Sequence, residues 1–123
     1  LRVHIQFAEL PVFDQDRAKA FYVDHLGCQV VADVPMGDGG WRWIELGFTG
    51  AQTHLHFLPR ENDELSADPV LVLLEADVPA TVEALRAGSV VITSEPQSTP
   101  WAPGGLAAEF RDSEGNRIVL SKL

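Results

Sequence analysis

Asp14-Gln-Asp-Arg-Ala-Lys-Ala-Phe-Tyr-Val-Asp-His-Leu-Gly27 runs straight into Cys28-Gln-Val-Val31, and Asp77-Val-Pro-Ala-Thr-Val-Glu-Ala-Leu-Arg-Ala-Gly88 runs into Ser89-Val-Val-Ile92. Each stretch opens on Asp, whose carboxylate can take up the backbone N–H groups that a first helical turn leaves open. In the first, Ala18, Phe21, Tyr22 and His25 or Leu26 fall at helical spacing, and Gly27 supplies a left-handed stop. In the second, Val78, Val82 and Leu85 make the stripe and Gly88 ends it. The two Asp stand 63 residues apart, about half of the 123-residue chain. A repeat of that size bears on the architecture before any single motif does.

Working outward, Val3 to Leu10 alternates and reads as a strand ahead of the first helix. Cys28 to Val34 follows it, then a Gly-rich turn from Met36 to Gly40, then strands over Trp41 to Phe48 and Gln52 to Leu58. The acidic stretch Pro59 to Pro69 has no apolar period and reads as a connector. Beyond it the order recurs: Val70 to Glu75, the second helix, Val90 to Thr93, Leu106 to Arg111 and Asn116 to Ser121. The prediction is one α+β domain over residues 1–123, with βαβββ halves at 1–58 and 70–123 and a linker at 59–69. Neither half should be stable alone, because each sheet leaves one face without a partner.

Two segments lie in register with the repeat. The Asp14 to Gly27 stretch resembles the first helix of the vicinal oxygen chelate superfamily, usually Asp-x-Asp-Arg-Ala…Phe-Tyr…Leu-Gly. Phe110-Arg-Asp-Ser-Glu-Gly-Asn-Arg-Ile-Val-Leu120 is similar to its final hairpin, usually Phe-x-Asp-Pro-Asp-Gly-Asn, with Ser113 and Glu114 in place of Pro and Asp. The resemblance spans essentially the whole chain. It implies a cup-shaped, partly open mixed sheet with helices on the outer face, and a homodimer. It does not fix a reaction, since that superfamily of glyoxalases, bleomycin-resistance proteins and extradiol dioxygenases hosts isomerases, thiol transferases and plain drug binders on one fold.

Composition narrows the partners. Eighteen acidic residues against nine basic give a net charge of −9, and no Lys/Arg cluster offsets it, so nucleic acid is not expected. No apolar run approaches the roughly 18 residues of a membrane span, and no signal-peptide pattern opens the chain, so the expected compartment is the cytoplasm. The one cysteine, Cys28, begins an apolar run and reads as a buried, inert thiol.

In the superfamily's metal enzymes, His, Gln or Glu from the first, fourth, fifth and eighth strands hold a divalent ion that acts as a Lewis acid. Carried onto this chain, the first-strand position falls on Phe7 and the eighth on Val119, neither of which can coordinate. The fifth falls near Val70, or on Asp68 with a shifted register, and only the fourth keeps a donor, His54 or His56. The standard metal site is therefore expected to be absent, and no cofactor is predicted. An alternative set is His54 and His56, two apart on one strand face, with Glu45, which would suit Zn, Ni, Mn or Fe.

Phe7, Trp41, Trp43, His54, His56 and Trp101 are the candidate ligand-binding residues. Trp41 and Trp43 alternate with Arg42 and Ile44 and should line one face; a pocket wall, a subunit interface or plain core would each suit them. Trp101 sits in the breaker-rich segment Ser94 to Gly105, which reads as a lid, a binding loop or a dimer contact. Glu9, Glu45 and Glu109 are acid/base candidates, because a carboxylate among Phe7 and tryptophans would be harder to ionise. Pairing with Arg42 or Arg111 is the plainer role for any of them. His4 has the opposite parity to Phe7 and should be exposed, while His25 suits the negative end of the first helix.

The expected function is small-molecule binding in an aromatic and acidic cup, without metal, by a binder or a cofactorless enzyme. One alternative is a metal-dependent glyoxalase-type lyase, isomerase or dioxygenase using His54, His56 and a Glu. The other is a drug-sequestering protein of the bleomycin-binding type, whose cationic ligand the −9 charge would suit.

Overall fold

The structure, a computed structural model, describes residues 1–62 and 67–123. The chain divides into two compact units, residues 1–63 and 64–123. The middle of the predicted linker, residues 63–66, lies outside the described residues.

The first unit runs β1 (Phe7–Val12), α1 (Gln15–Leu26), β2 (Gln29–Pro35), β3 (Arg42–Gly47) and β4 (His54–Pro59). Its sheet has the order β1-β4-β3-β2, with β1 parallel to β4 and the other pairs antiparallel. Strand alternation splits the side chains by face. Leu10, Val12, Ile44, Leu46, Leu55 and Phe57 are buried, as are Ala18, Phe21 and Tyr22 of α1. Tyr22 meets Phe57 at 6.5 Å between ring centroids, so this is the face that the helix covers. Burying each large apolar side chain contributes roughly 1.5–3 kcal/mol. Asp14 accepts from the Arg17 N–H at 3.0 Å and Gly27 ends the helix at φ 71°, as its lack of Cβ permits.

The second unit repeats the order: β5 (Leu71–Glu75), α2 (Val78–Ala87), β6 (Ile92–Ser98), β7 (Leu106–Arg111) and β8 (Arg117–Lys122). Its sheet order, β5-β8-β7-β6 with β5 parallel to β8, is that of the first unit. Ala108, Phe110, Ile118 and Leu120 are buried, as are Val78, Val82 and Leu85 of α2. Asp77 accepts from the Ala80 N–H at 3.1 Å. Gly88 closes the helix, but the left-handed residue is Ser89, at φ 65°.

The α+β class and the two βαβββ modules hold, with neither sheet closed. Some boundaries move. The first strand begins at Phe7 rather than Val3, because its parallel neighbour β4 begins only at His54, the partner of Phe7. The segment Ser94 to Gly105 is not all loop, since β6 extends to Ser98 through Pro96. That strand lies at the sheet edge, where a missing N–H is tolerated. Among the described residues no helix is long and apolar enough to cross a membrane.

Candidate functional site

In each unit one sheet face is covered by its helix; the other carries polar and aromatic side chains in the first unit, and polar and aliphatic ones in the second. In the first unit, β4 lies between β1 and β3, with His56 registered against Glu9 on one side and Glu45 on the other. The His56 ring is packed by Trp43 at 3.9 Å and Phe7 at 5.0 Å between centroids, and Phe7 meets Trp43 edge-on at 5.8 Å. These three rings form one continuous wall.

Hydrogen bonds fix the polar members. Glu9 Oε2 lies 2.7 Å from His56 Nδ1, and Glu45 Oε2 lies 2.5 Å from His54 Nδ1. Trp43 Nε1 donates to Glu45 Oε1 at 3.2 Å. The hydrogen bond with His54 is the main cause that holds the Glu45 carboxyl below the usual carboxylate range; partial burial opposes it and the Trp43 N–H assists. Glu45 was expected to be harder to ionise among the aromatics, and the direction is the reverse, because His54 first and the Trp43 N–H second hydrogen-bond its carboxylate. His56 is only 7% exposed, and its Nε2 is a buried atom with no hydrogen-bond partner among the described residues.

Trp41 does not join this wall. It precedes β3 and lines a different hollow with Phe13, Asp14, Gln15, Asp16 and Arg42. There Gln15 holds the start of β3 by donating to the Arg42 carbonyl at 2.6 Å and accepting the Arg42 N–H at 2.9 Å. The Arg42 guanidinium pairs with Asp33 at 2.8 Å and Asp16 at 2.6 Å rather than with Glu45. Lys19 pairs with Asp33 as well, at 2.8 Å, and Arg42 followed by Lys19 holds the Asp33 carboxyl down at about 2.

In the second unit the helix-free face forms a hollow of about 610 Å³. Val72, Ala107, Glu109, Arg117 and Val119 line it from the strands, and Thr99, Pro100 and Trp101 from the segment after β6. Trp101 is 79% exposed. Glu109 pairs with Arg117 at 2.7 Å and accepts from the Thr93 hydroxyl at 2.9 Å. Its partner is thus Arg117 rather than Arg111, whose guanidinium donates to the Gly115 carbonyl.

Superposing the two strand registers sets Glu45 against Glu109, His54 against Arg117, and His56 against Val119. The same carboxylate–base pair therefore stands at the same place in both units. Arg117 was missed in the sequence, although the repeat signalled it: it lies 63 residues after His54. The register also decides which histidine occupies the fourth-strand position, since the eighth-strand residue Val119 matches His56 and not His54.

In the first unit Phe7 offers only hydrocarbon beside the imidazole of His56, and in the second Val70 and Val119 likewise offer only hydrocarbon. Glu9 and Glu45 are engaged by the two imidazoles, and among the described residues no three His, Cys, Asp or Glu gather as ligands. At least three donors are normally needed. His4 is exposed, and His25 packs on Phe21 at 4.9 Å in the last turn of α1. Cys28 is buried, and burial pushes its thiol up to about 12.

Residues 3–120 match the sequence profile of the Glyoxalase/Bleomycin resistance protein/Dioxygenase superfamily. An uncharacterized protein of Bacillus subtilis (strain 168), YetH, is 30% identical over 115 residues, which is 90% of this chain and 91% of that protein. The crystal structure of TnmS3, an antibiotic binding protein from Streptomyces sp. CB03234, superposes with a TM-score of 0.81 at 34% identity, covering 98% of this chain and 96% of that one. A glyoxalase/bleomycin resistance protein from the same Streptomyces superposes with a TM-score of 0.75 at 33% identity, covering 95% and 98%.

Proposed function

The chain belongs to the glyoxalase/bleomycin resistance protein/dioxygenase superfamily, and from that premise we propose that it is a metal-independent binder of a compact, partly apolar small molecule. The observation that carries this is the wall of Phe7, His56 and Trp43 on the helix-free face of the first unit. Aromatic faces favour offset or edge-on contact with other rings, by about 0.5–1.5 kcal/mol beyond the area they bury. Such a wall suits a ligand with a planar unsaturated portion. The likeness to TnmS3, described as antibiotic-binding, supports a ligand of that general kind.

Glu9, Glu45 and Glu109 act in this reading as anchors for His56, His54 and Arg117 rather than as acids or bases. Their partners fix the polar side chains so that little order is lost when a ligand arrives. A second reading seats the ligand in the hollow of the second unit, under Trp101, and is favoured by that hollow's volume, which is within the range of small-molecule sites. The protein is proposed to work as a cytoplasmic homodimer, for which sedimentation equilibrium should return twice the chain mass.

The test is a fluorescence titration of EDTA-treated protein with 2-methoxynaphthalene and, separately, with bleomycin. Saturable binding of the naphthalene that is unchanged by added zinc, and weakened about tenfold by Trp43→Ala, is the expected result. Weakening by Trp101→Ala alone would move the site to the second unit. Binding that needs one equivalent of Zn, Ni, Mn or Fe and disappears in His54→Ala would replace the proposal with a metal-dependent lyase, isomerase or dioxygenase. Binding of bleomycin alone would make the protein a drug-sequestering one of the bleomycin-binding type.

A further inference from the structure

We propose that His56 Nε2 is the polar anchor of the ligand, a lone hydrogen-bond acceptor that selects molecules carrying an O–H or N–H donor beside their planar portion. The inference rests on the first-unit binding reading above and names the ligand chemistry at that site.

It follows from three facts about one side chain. First, the Nδ1 of His56 is taken by Glu9 at 2.7 Å, and a carboxylate accepts, so Nδ1 is the nitrogen that carries the hydrogen. Second, Nε2 is buried and has no partner among the described residues. With the hydrogen on Nδ1, Nε2 presents its lone pair as an acceptor. Third, the ring is covered by Trp43 at 3.9 Å and Phe7 at 5.0 Å, both hydrocarbon-faced, so neither supplies a hydrogen bond to that atom.

A buried acceptor without a donor is costly to the unliganded protein. Its one unmet requirement is a donor, and the aromatic cover defines the shape of the molecule that can bring one. The Trp43 indole N–H donates to Glu45 at 3.2 Å. A ligand that inserts beside His56 must shift this indole, exchange the Trp43–His56 packing for its own, and place its O–H or N–H on Nε2. A ligand without the donor gains the stacking and leaves the acceptor unmet.

The experiment compares 2-naphthol with 2-methoxynaphthalene, which present the same ring system with and without the O–H. Both are titrated by isothermal calorimetry into the EDTA-treated protein and into His56→Phe, which keeps an aromatic ring and removes the acceptor. The expected result is 2-naphthol binding about tenfold or more tighter than its methyl ether in the native protein. That ratio should fall to about one in His56→Phe, whatever that variant's affinity for the ether. A second measurement does not depend on the variant's folding: the Nε2 nitrogen-15 resonance of His56 should move upfield on adding 2-naphthol, and far less on adding the ether. Equal affinities in the native protein would overturn the inference and leave the binding reading standing. A preference that survives His56→Phe, or an unmoved Nε2 resonance, would also overturn it. Failure of both probes to bind would overturn the binding reading, and the inference with it.

Discussion

Replacing Asp112 with Ala should destabilise the second unit by about 3–5 kcal/mol, and the figure follows from one carboxylate. Asp112 closes the turn between β7 and β8. Its Oδ1 accepts from the N–H of Glu114 at 2.8 Å and of Asn116 at 2.9 Å, and its Oδ2 accepts from Asn116 Nδ2 at 3.1 Å. All of this lies in a buried setting, since Asp112 and Glu114 are scarcely exposed and Asn116 is fully covered. Hydrogen bonds to a charged group contribute about 1.5–3 kcal/mol each, and three that share one carboxylate sum to less than three separate ones. Gly115, at φ 80°, takes the left-handed corner, so the turn has little freedom to rearrange. Urea unfolding followed by circular dichroism measures the loss. Asp112→Asn, which keeps the Oδ1 acceptor but sets an NH₂ against Asn116, should lose about half as much. A loss below about 1 kcal/mol for Asp112→Ala, or equal losses for the two variants, would refute the reasoning.

Asp33 has a folded value of about 2, against an ordinary one near 3.8, because Arg42 and Lys19 favour its charged form. Its contribution is therefore present above pH ~4 and lost as pH falls toward ~2, so native protein and Asp33→Asn should differ in urea midpoint at pH 6 and converge near pH 2. Equal midpoints at both pH values would contradict this. Cys28, buried and pushed up to about 12, should resist iodoacetamide at pH 8 in the native state and react on unfolding, read by intact mass. Phe57→Ala, which empties a fully buried site packed on Tyr22, should cost about 3–5 kcal/mol in the same urea assay, with a smaller loss meaning that the core collapses around it.

Much of the fold was legible because its signals are local. The Asp caps, the helical stripe of Ala18, Phe21 and Tyr22, and the alternation of Ile118 and Leu120 each depend on a few neighbours along the chain. What escaped depends on neighbours across the sheet. Pro96 reads as a loop breaker until the sheet order shows that β6 is an edge. Val3 and Ile5 alternate like a strand but precede the first register pair, Phe7 with His54. Trp41 has the parity of Trp43, yet it lies before β3 begins, so counting along the chain placed it on a wall it does not join.

On the candidate face, the shared side was more legible than the pairings. Phe7, Trp43, His56, His54, Glu9 and Glu45 share one face, as strand parity implies. Which carboxylate holds which imidazole no periodicity reports: the register sets Glu9 and Glu45 both against His56, and Glu45 reaches diagonally to His54. Glu109 shows the same gap, since Arg117 was visible only by comparison with His54 across the repeat.

A crystal structure of the protein soaked with 2-naphthol addresses the central claim most directly. Density for the ring packed against Trp43 and His56, with its oxygen at hydrogen-bond distance from Nε2 and no ion beside it, is the predicted result. A divalent ion on that nitrogen, or naphthol found only beneath Trp101 in the second unit, would contradict it.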